Sequence, residues 1–316
     1  MIQDKIWIVG TGPMAVEHAK VLNSLGCTYE VIGRGEANAK LFFEATGVQP
    51  YTGGLDLFLN SGPGTPQAVI NAVGIESLTE TTQQLLHYGV KYLLLEKPGF
   101  AYPEEWEGTA KLALDNKAEI YIAYNRRFYA SVLKAREMIE ADGGCTSFLF
   151  EFTEWSHVIS GLKKDKAELE NWFYGNSTHV IDTAFFLGGM PVELSAYKAG
   201  SLPWHPGGSV YAGAGYTDKG ALFSYTANWQ SPGRWNLELC TPLRRLIFRP
   251  MEKLQIQQIG SIKIDFFEEI DYSKDEVFKP GTYLQMESFL QGKSENLIEL
   301  NTFKKNIAVY NKINRK

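Results

Sequence analysis

Cysteine is scarce in this chain of 316 residues, and the three present, Cys27, Cys145 and Cys240, lie far apart. An odd number without CxxC spacing builds no disulfide framework and is typical of a reducing compartment. No stretch approaches the ~20 consecutive apolar residues of a membrane-spanning helix. A basic excess is also absent, because 31 Lys and Arg face 36 Asp and Glu, for a net charge of −5. We therefore expect a cytoplasmic protein that binds neither nucleic acid nor membranes.

Histidine is scarce as well, with five in the chain. His18, His87 and His205 show no ligand spacing, so the sequence predicts no metal site. A G-x-S-x-G elbow is missing, which argues against a serine hydrolase. With 44% hydrophobic residues, the chain has enough apolar side chains for a globular protein, and its length favours two domains.

The first ~125 residues alternate short apolar runs with longer amphipathic stretches. The runs are continuously hydrophobic, as in strands buried on both faces of a parallel sheet. Six strands are predicted: Ile6–Val9, Tyr29–Ile32, Leu55–Leu59, Ala68–Val73, Tyr92–Leu95 and Ile120–Tyr124. Strands alternating with helices predict an α/β fold, a doubly wound parallel sheet of the Rossmann type, over residues 1–124.

The pattern changes after Tyr124. Residues 192–264 form a series of segments in which apolar and polar residues often alternate, as in antiparallel strands with one wet face. A helix is predicted around His179–Asp182, and two more helices close the chain. Residues 125–316 are therefore predicted to form an α+β domain with a large, mainly antiparallel open sheet.

A glycine motif follows the first predicted strand. Gly10-Thr11-Gly12-Pro13-Met14-Ala15 has the form G-x-G-x-x-A and opens a helix. In such a motif the first glycine permits a tight turn and the second lets a pyrophosphate approach the backbone at the helix N-terminus. The strand before it and the helix after it favour dinucleotide binding by Gly10, Thr11, Gly12, Pro13 and Met14. The alternative is a purely structural glycine turn.

The second strand is the place where NAD-binding proteins usually carry an acidic residue that binds the ribose. This chain has Gly33-Arg34-Gly35 there. Without the acid a 2′-phosphate meets no repulsion, and Arg34 is able to pair with it. The sequence thus favours NADP over NAD as cofactor, unless Arg34 is an ordinary solvated side chain of a loop.

A second motif follows the fifth predicted strand, where Glu96-Lys97-Pro98-Gly99 comes directly after Tyr92–Leu95. Ligands of open parallel sheets bind beyond the carboxyl ends of the strands. Lys97 is therefore expected where substrate and nicotinamide meet, and we assign Glu96 and Lys97 to the cofactor site as well.

These motifs together resemble the Gfo/Idh/MocA family of oxidoreductases. The resemblance rests on Gly10–Ala15, on Glu96-Lys97-Pro98, on Tyr124–Phe128 with its Asn-Arg-Arg-Phe, and on the H-x-x-D segment His179–Asp182, in family order. It implies reversible hydride transfer between a nicotinamide and a secondary hydroxyl, usually of a sugar, a sugar derivative or a cyclitol. It also implies a homo-oligomer, a dimer or tetramer formed through the sheet of the second domain.

The resemblance assigns two catalytic roles. Lys97 stabilises alkoxide character on the reacting oxygen, and His179 takes the hydroxyl proton. The alternative for His179 is a structural helix histidine. Asp182, three residues on and on the same helix face, either contacts a substrate hydroxyl or orients its neighbours.

One position departs from the family pattern. Family members commonly carry an acid four residues before the histidine, where this chain has Gly175. His179 then lacks its usual carboxylate partner. Another group substitutes for it, or the chemistry is altered, or activity is lost.

Four further positions are candidates for the substrate pocket. Asn125 and Arg126 open the second domain, and Arg126 either engages an anionic group of the substrate or forms a salt bridge between domains. Glu154 and Trp155 end the first long strand of that domain. Trp155 suits the apolar face of a sugar ring, although core packing explains it equally well.

The leading hypothesis is an NAD(P)-dependent dehydrogenase or reductase acting on CH–OH groups. One alternative is an enzyme that retains NAD and cleaves glycosides without net redox change. The other is a non-catalytic regulatory protein that binds a dinucleotide.

Overall fold

The chain divides into two compact units in the computed structural model, which describes residues 1–164 and 166–314. Unit 1 comprises Met1–Asn125 and Lys274–Lys304, and unit 2 comprises Arg126–Ser273 and the residues from Lys305 on. The sequence prediction placed all of 125–316 in the second domain, so Lys274–Lys304 depart from it. This segment belongs to unit 1 because a short strand in it, Ile298–Glu299, pairs with the sheet of that unit.

The sheet of unit 1 has six strands in the order β2-β1-β3-β4-β5-β14. The first five run parallel and β14 pairs antiparallel with β5. Every side chain of β1 and β3 is buried, which explains why these strands are continuously apolar. The six strands are β1 (Ile6–Val9), β2 (Tyr29–Ile32), β3 (Ala68–Asn71), β4 (Tyr92–Leu95), β5 (Glu119–Ile122) and β14 (Ile298–Glu299).

Helices connect the parallel strands of unit 1, and one more follows the chain's return to this unit. The helices wholly within unit 1 are α1 (Pro13–Ser24), α2 (Glu36–Thr46), α3 (Gly54–Asn60), α4 (Leu78–Tyr88), α5 (Trp106–Asp115) and α11 (Thr282–Leu290). Helix α11 is tied to the sheet by Phe289, whose ring stacks on Tyr92 of β4 at 4.4 Å between centroids.

The predicted strand Leu55–Leu59 is wrong, since these residues form α3. Gly53, just before α3, and Gly54, its first residue, have φ of +98° and +90°, a conformation that turns the chain and that other residues rarely adopt. Leu55 and Phe58 then share one buried helix face, while Leu57 is exposed. The run is apolar enough for a strand, but its burial follows the helical period.

Unit 2 contains an eight-stranded sheet in the order β13-β12-β11-β10-β6-β9-β8-β7. All neighbours are antiparallel except β6 and β9, which run parallel. The strands are β6 (Ser147–Glu151), β7 (Pro191–Ala199), β8 (Val210–Thr217), β9 (Leu222–Asn228), β10 (Asn236–Cys240), β11 (Arg244–Phe248), β12 (Gln255–Gln258) and β13 (Asp265–Phe266). The predicted fold class, a doubly wound sheet followed by an α+β domain with a mainly antiparallel sheet, is confirmed.

One face of the unit 2 sheet is packed with aromatic rings. Phe148 and Phe150 of β6 and Phe223 of β9 all contact Phe185, edge to face, at 5.1–5.9 Å between centroids. The helices of unit 2 are α6 (Ala130–Ala141), α7 (Ser156–Ile159), α8 (Lys166–Glu170), α9 (Thr178–Gly188) and α12 (Lys304–Asn314), with α10 (Ser273–Val277) at the junction of the units. Phe185 lies on α9, so this helix is anchored by the aromatic layer.

The opposite face of this sheet exposes apolar side chains, including Leu149, Tyr216 and Leu222. Homo-oligomer formation through the sheet stays a prediction. In the described parts of the chain, no helix combines the length and apolar character needed to cross a bilayer.

Candidate functional site

A cavity of about 540 Å³ lies in unit 1 at the carboxyl ends of the parallel strands. Three glycine-containing loops line it, Gly10–Gly12 after β1, Gly33–Gly35 after β2 and Gly53–Gly54 before α3, together with residues that follow β3. The strand ends converge here because parallel strands all point the same way. The structure thus brings Gly10, Thr11, Gly12 and Arg34 of the predicted cofactor site together around one cavity.

The two motif glycines meet different steric demands. Gly10 has φ +118°, and a Cβ on it would lie 2.5 Å from the carbonyl oxygen of Ala72, so the turn touches the end of β3. Gly12 is the N-cap of α1, and a Cβ there would point into open space. No side chain caps α1, Pro13 is its first residue and no acid lies in its first turn. The helix therefore presents backbone N–H groups and the positive end of its dipole, which fits the phosphates of a dinucleotide.

A side chain at the position after β2, such as the usual acid, would have to displace the side chain of Thr11. A Cβ on Gly33 would lie 2.7 Å from Cγ2 of Thr11. Arg34 follows it on the rim of the cavity with its side chain 78% exposed, and its guanidinium lies 3.6 Å from Glu76. Because Glu76 and Asp56 line the same cavity, Arg34 is a cation among acids.

Lys97 and Glu96 follow β4, the fourth strand of the chain, since the third predicted strand is a helix. Glu96 is buried, and its Oε1 lies 2.9 Å from Nε2 of His18, within range of a hydrogen bond or an ion pair. Burial raises the pKa of Glu96, but the His18 hydrogen bond and the charges of His18, Lys97 and Lys279 outweigh it and leave that pKa below its ordinary value. The carboxylate is therefore a fixed negative charge directly before Lys97.

The other predicted residues of unit 1 have internal partners. Met14, the second residue of α1, accepts a hydrogen bond on its sulfur from Lys279. Asn125 is buried and donates its side-chain N–H to the carbonyl of Pro280. Contacts of Pro13, Met14 and Glu96 with a cofactor, and of Asn125 with a substrate, stay predictions.

A second cavity, of about 1000 Å³, lies in unit 2 where β6 and β9 end. Trp155, Trp204 and Trp229 form its aromatic walls, and Trp204 stacks on Trp229 with their planes 2° apart. Each indole N–H is bonded to a protein oxygen at 2.9–3.1 Å, so the rings are held in place. Trp155 is exposed, whereas Trp229 is buried against Trp204. The remaining lining residues are Glu154, Ser156, His157, Ser160, Leu202, Pro203, Gln230, Ser231, Pro232 and Gly233.

An alternating stack of arginines and tryptophans lies beside this cavity. The guanidinium of Arg234 is 4.6 Å from the ring centroids of both Trp155 and Trp235. Arg126 lies 4.5 Å from Trp235, and the ring of His179 is 6.3 Å from it. The structure thus gathers three predicted residues, Arg126, Trp155 and His179, around Arg234 and Trp235.

Sequence reasoning missed Arg234 and Trp235. The signal near them is the turn pair Pro232-Gly233, which marks a loop but not the side chains that follow it. An arginine stacked between two indoles is a long-range arrangement, and a cation–π contact contributes ~0.5–2 kcal/mol depending on how dry it is.

Asp182 has a structural environment. Its carboxylate is 1% exposed and accepts two hydrogen bonds from Arg127, at 2.7 and 2.8 Å, and a third from Asn306 at 3.3 Å. In this bidentate pair each of the two carboxylate oxygens accepts a hydrogen bond from the guanidinium of Arg127. Of the two predicted roles, the geometry favours orientation of neighbouring residues over contact with a substrate.

Among the residues described, no group of three or more His, Cys, Asp or Glu side chains is arranged to hold a metal ion.

Comparison with known proteins finds similarity in structure and not in sequence. No family model matches the chain, and no curated protein matches it. Levoglucosan dehydrogenase in complex with NADH superposes with a TM-score of 0.78 at 15% identity, over 98% of this chain and 95% of its own. UDP-N-acetylglucosamine 3-dehydrogenase GnnA from Acidithiobacillus ferrooxidans gives 0.75 at 13% identity, over 100% and 98%.

The WlbA dehydrogenase from Bordetella pertussis, in complex with NADH and UDP-GlcNAcA, gives a TM-score of 0.74 at 16% identity, over 99% of this chain and 95% of its own. The similarity spans nearly the full length of each protein, so it covers both units. At this level of identity it establishes architecture, since one fold serves many chemistries. This chain therefore has the fold of these dehydrogenases.

Proposed function

We propose that this chain is an NAD(P)-dependent oxidoreductase that transfers hydride between a nicotinamide and a secondary hydroxyl or keto group of a sugar, sugar derivative or cyclitol. The observation that carries the proposal is the glycine-lined cavity of unit 1, where Gly10 and Gly12 bring an uncapped helix N-terminus to the carboxyl ends of the strands. Such a cradle suits a pyrophosphate. When bound, the nicotinamide supplies or accepts the hydride.

Two side chains have roles in this proposal. Lys97, half-buried after β4, stabilises negative charge on the reacting oxygen, and a fixed cation in a partly dry site is effective at this. His179, the second residue of α9, accepts the hydroxyl proton during oxidation and returns it during reduction. Both roles carry over from the family resemblance, and substitution of each side chain by alanine would test them.

The tryptophan cavity of unit 2 supports a carbohydrate substrate. A sugar ring has an apolar C–H face that packs on aromatic rings and hydroxyls that bond to polar groups at the edge. Trp155 is 48% exposed and is available for such a contact, while Ser160, Gln230 and Ser231 supply polar atoms nearby. We therefore assign Trp155 to the substrate.

A substrate screen tests the proposed function. Sugars, nucleotide sugars and inositols are each incubated with NAD and NADP, and the nicotinamide absorbance is followed. We expect turnover of at least one carbohydrate. Retention of cofactor through gel filtration with glycoside cleavage but no bulk turnover would favour the enzyme without net redox change. Cofactor binding with no turnover of any kind would favour a regulatory protein, and failure to bind either cofactor would overturn the proposal.

We also propose that Arg34 selects NADP(H). Arg34→Ala is expected to weaken NADP(H) binding about tenfold or more, because a charge-assisted bond to the 2′-phosphate is lost. NAD(H) binding should stay nearly unchanged, and titration calorimetry with both cofactors measures the difference. Glu76→Gln is the matched variant, expected to strengthen NADP(H) binding by removing the acid 3.6 Å from Arg34. Equal affinity of the wild-type protein for NAD and NADP would contradict this assignment.

A further inference from the structure

Glu154 is a buried carboxylate just beyond the end of β6, and it is 1% exposed. Oε1 accepts a hydrogen bond from Ser177 Oγ at 2.8 Å. The side-chain N–H of Asn176 reaches both carboxylate oxygens, at 3.0 and 3.1 Å. Arg234 lies 3.5 Å from Oε2. An acid this deeply buried is uncommon unless its acceptors are used, and here they are.

The donors to Glu154 belong to the turn that leads into the His179 helix. Phe173–Ser177 form a π-helical turn, a geometry often found at functional sites, and α9 starts at the next residue. Ser177, the last residue of this turn, is itself helical, and its hydroxyl donates to Glu154. The carboxylate therefore holds the two residues that set the start of α9 and the position of His179.

Charged side chains surround this turn. Ser177 is helical and the N–H of Thr178 donates to the carbonyl of Phe173, so the π-helical turn runs directly into α9 and the local potential is set by these side chains. Gly175, where the family resemblance implies an acid, supplies no charge. Arg234, in its ion pair with Glu154, and Arg126 beyond it are cations, and neighbouring positive charge disfavours an imidazolium.

Glu154 is also poised to change its charge near neutral pH. Burial raises its pKa to about 7, although the bonds from Ser177, Asn176 and Trp172 and the charge of Arg234 act in the opposite direction. Other titratable groups facing this region are His157, on the wall of the same cavity, and Tyr129 and Glu252, which interact with Arg126. Because the range in which Glu154 titrates overlaps that in which an imidazole titrates, the charges of Glu154 and His179 are coupled: an imidazolium favours the carboxylate form of Glu154, and the carboxylate in turn favours the imidazolium.

We propose that Glu154 is the positioning residue of the proposed reaction, the carboxylate that takes the place of the acid absent at Gly175 by holding the turn before His179 and stabilising its imidazolium. This inference rests on the proposed function for its meaning, since His179 is the base of that reaction. It concerns the state of His179 in the protein alone, so it is measurable without a substrate.

The test is a titration of the five histidines by NMR, with ring-labelled histidine in the full chain. His179→Asn identifies the His179 signal. In Glu154→Gln, which keeps a similar shape and loses the charge, we expect the midpoint of the His179 titration to move to lower pH by about one unit. Glu154→Asp, which keeps the charge and withdraws it by one methylene, should give a smaller shift in the same direction. Glu151→Gln, at the last residue of β6, is the control and should leave the midpoint unchanged.

An unchanged midpoint in folded Glu154→Gln would overturn the proposal, because it would leave Glu154 a purely structural acid. If that variant does not fold, Glu154→Asp decides, and an unchanged midpoint there has the same meaning. The titration needs no substrate, so its result is interpretable even if the substrate screen finds no turnover. If the substrate screen finds dehydrogenase activity but Glu154→Gln leaves the His179 midpoint unchanged, the proposed function stands and the role of Glu154 is rejected.

Discussion

Lys97→Ala is expected to lower turnover about a thousandfold or more and to leave cofactor affinity nearly unchanged. Removing one group that stabilises a developing oxyanion costs ~10²–10³ in rate, and Lys97 supplies a full charge. Cofactor affinity should survive because the proposed phosphate site, formed by the glycine turn and α1, is not touched by the substitution. Steady-state kinetics and cofactor titration on the same preparation separate the two effects.

The environment of Lys97 explains why a neutral replacement is expected to fail. Lys97 is half-buried, and its charge, like that of the exposed Lys279, lowers the pKa of the buried Glu96, which is also paired with His18. Lys111→Ala, an exposed lysine on α5, is the matched control and should keep wild-type rates. Retention of most activity by Lys97→Ala would exclude this lysine as the electrostatic centre.

His179→Ala is expected to lower turnover by ~10²–10⁴, which is the usual contribution of a positioned acid–base group. The loss should be greatest near neutral pH, because the ordinary pKa of an imidazole, ~6.5, lets it accept and donate protons there. The measurement is the pH profile of kcat and kcat/KM for both proteins. His87→Ala, an exposed histidine at the end of α4, should leave the profile as it is. A His179→Ala enzyme whose pH profile matches the wild type would remove the base assignment.

The Rossmann half was predictable because its signals are local. Strands such as Ile6–Val9 and Tyr92–Leu95 are buried on both faces, and both appear in the structure with the predicted bounds. The exception, Leu55–Leu59, is a short apolar run whose helical burial depends on the turn at Gly53 and Gly54. Periodicity alone does not distinguish a buried strand from a helix over five residues.

The return of Lys274–Lys304 to unit 1 was not predictable from local pattern. Strand β14 has two residues, and its partner β5 lies more than 170 positions earlier in the chain. The stacking of Phe289 on Tyr92 likewise depends on residues remote in sequence. Such pairings follow from the packing of the complete unit and not from any property of the segment.

The candidate site likewise contains residues that local sequence reveals and residues that only the tertiary structure brings together. Motif residues such as Gly10, Lys97 and His179 are recognisable in the sequence because their chemistry depends on near neighbours in the chain: a turn, a strand end, a helix start. The partners of those residues come from elsewhere, as Glu154 does for the turn before His179 and Arg234 does for Trp155. Folding brings these groups together because burial of a polar group demands a partner, and the chain finds that partner in space. The bonds between Glu154 and the turn before His179 are therefore visible in the three-dimensional structure alone, whereas Gly175, the departure from the pattern of the family that the chain resembles, is already visible in the sequence.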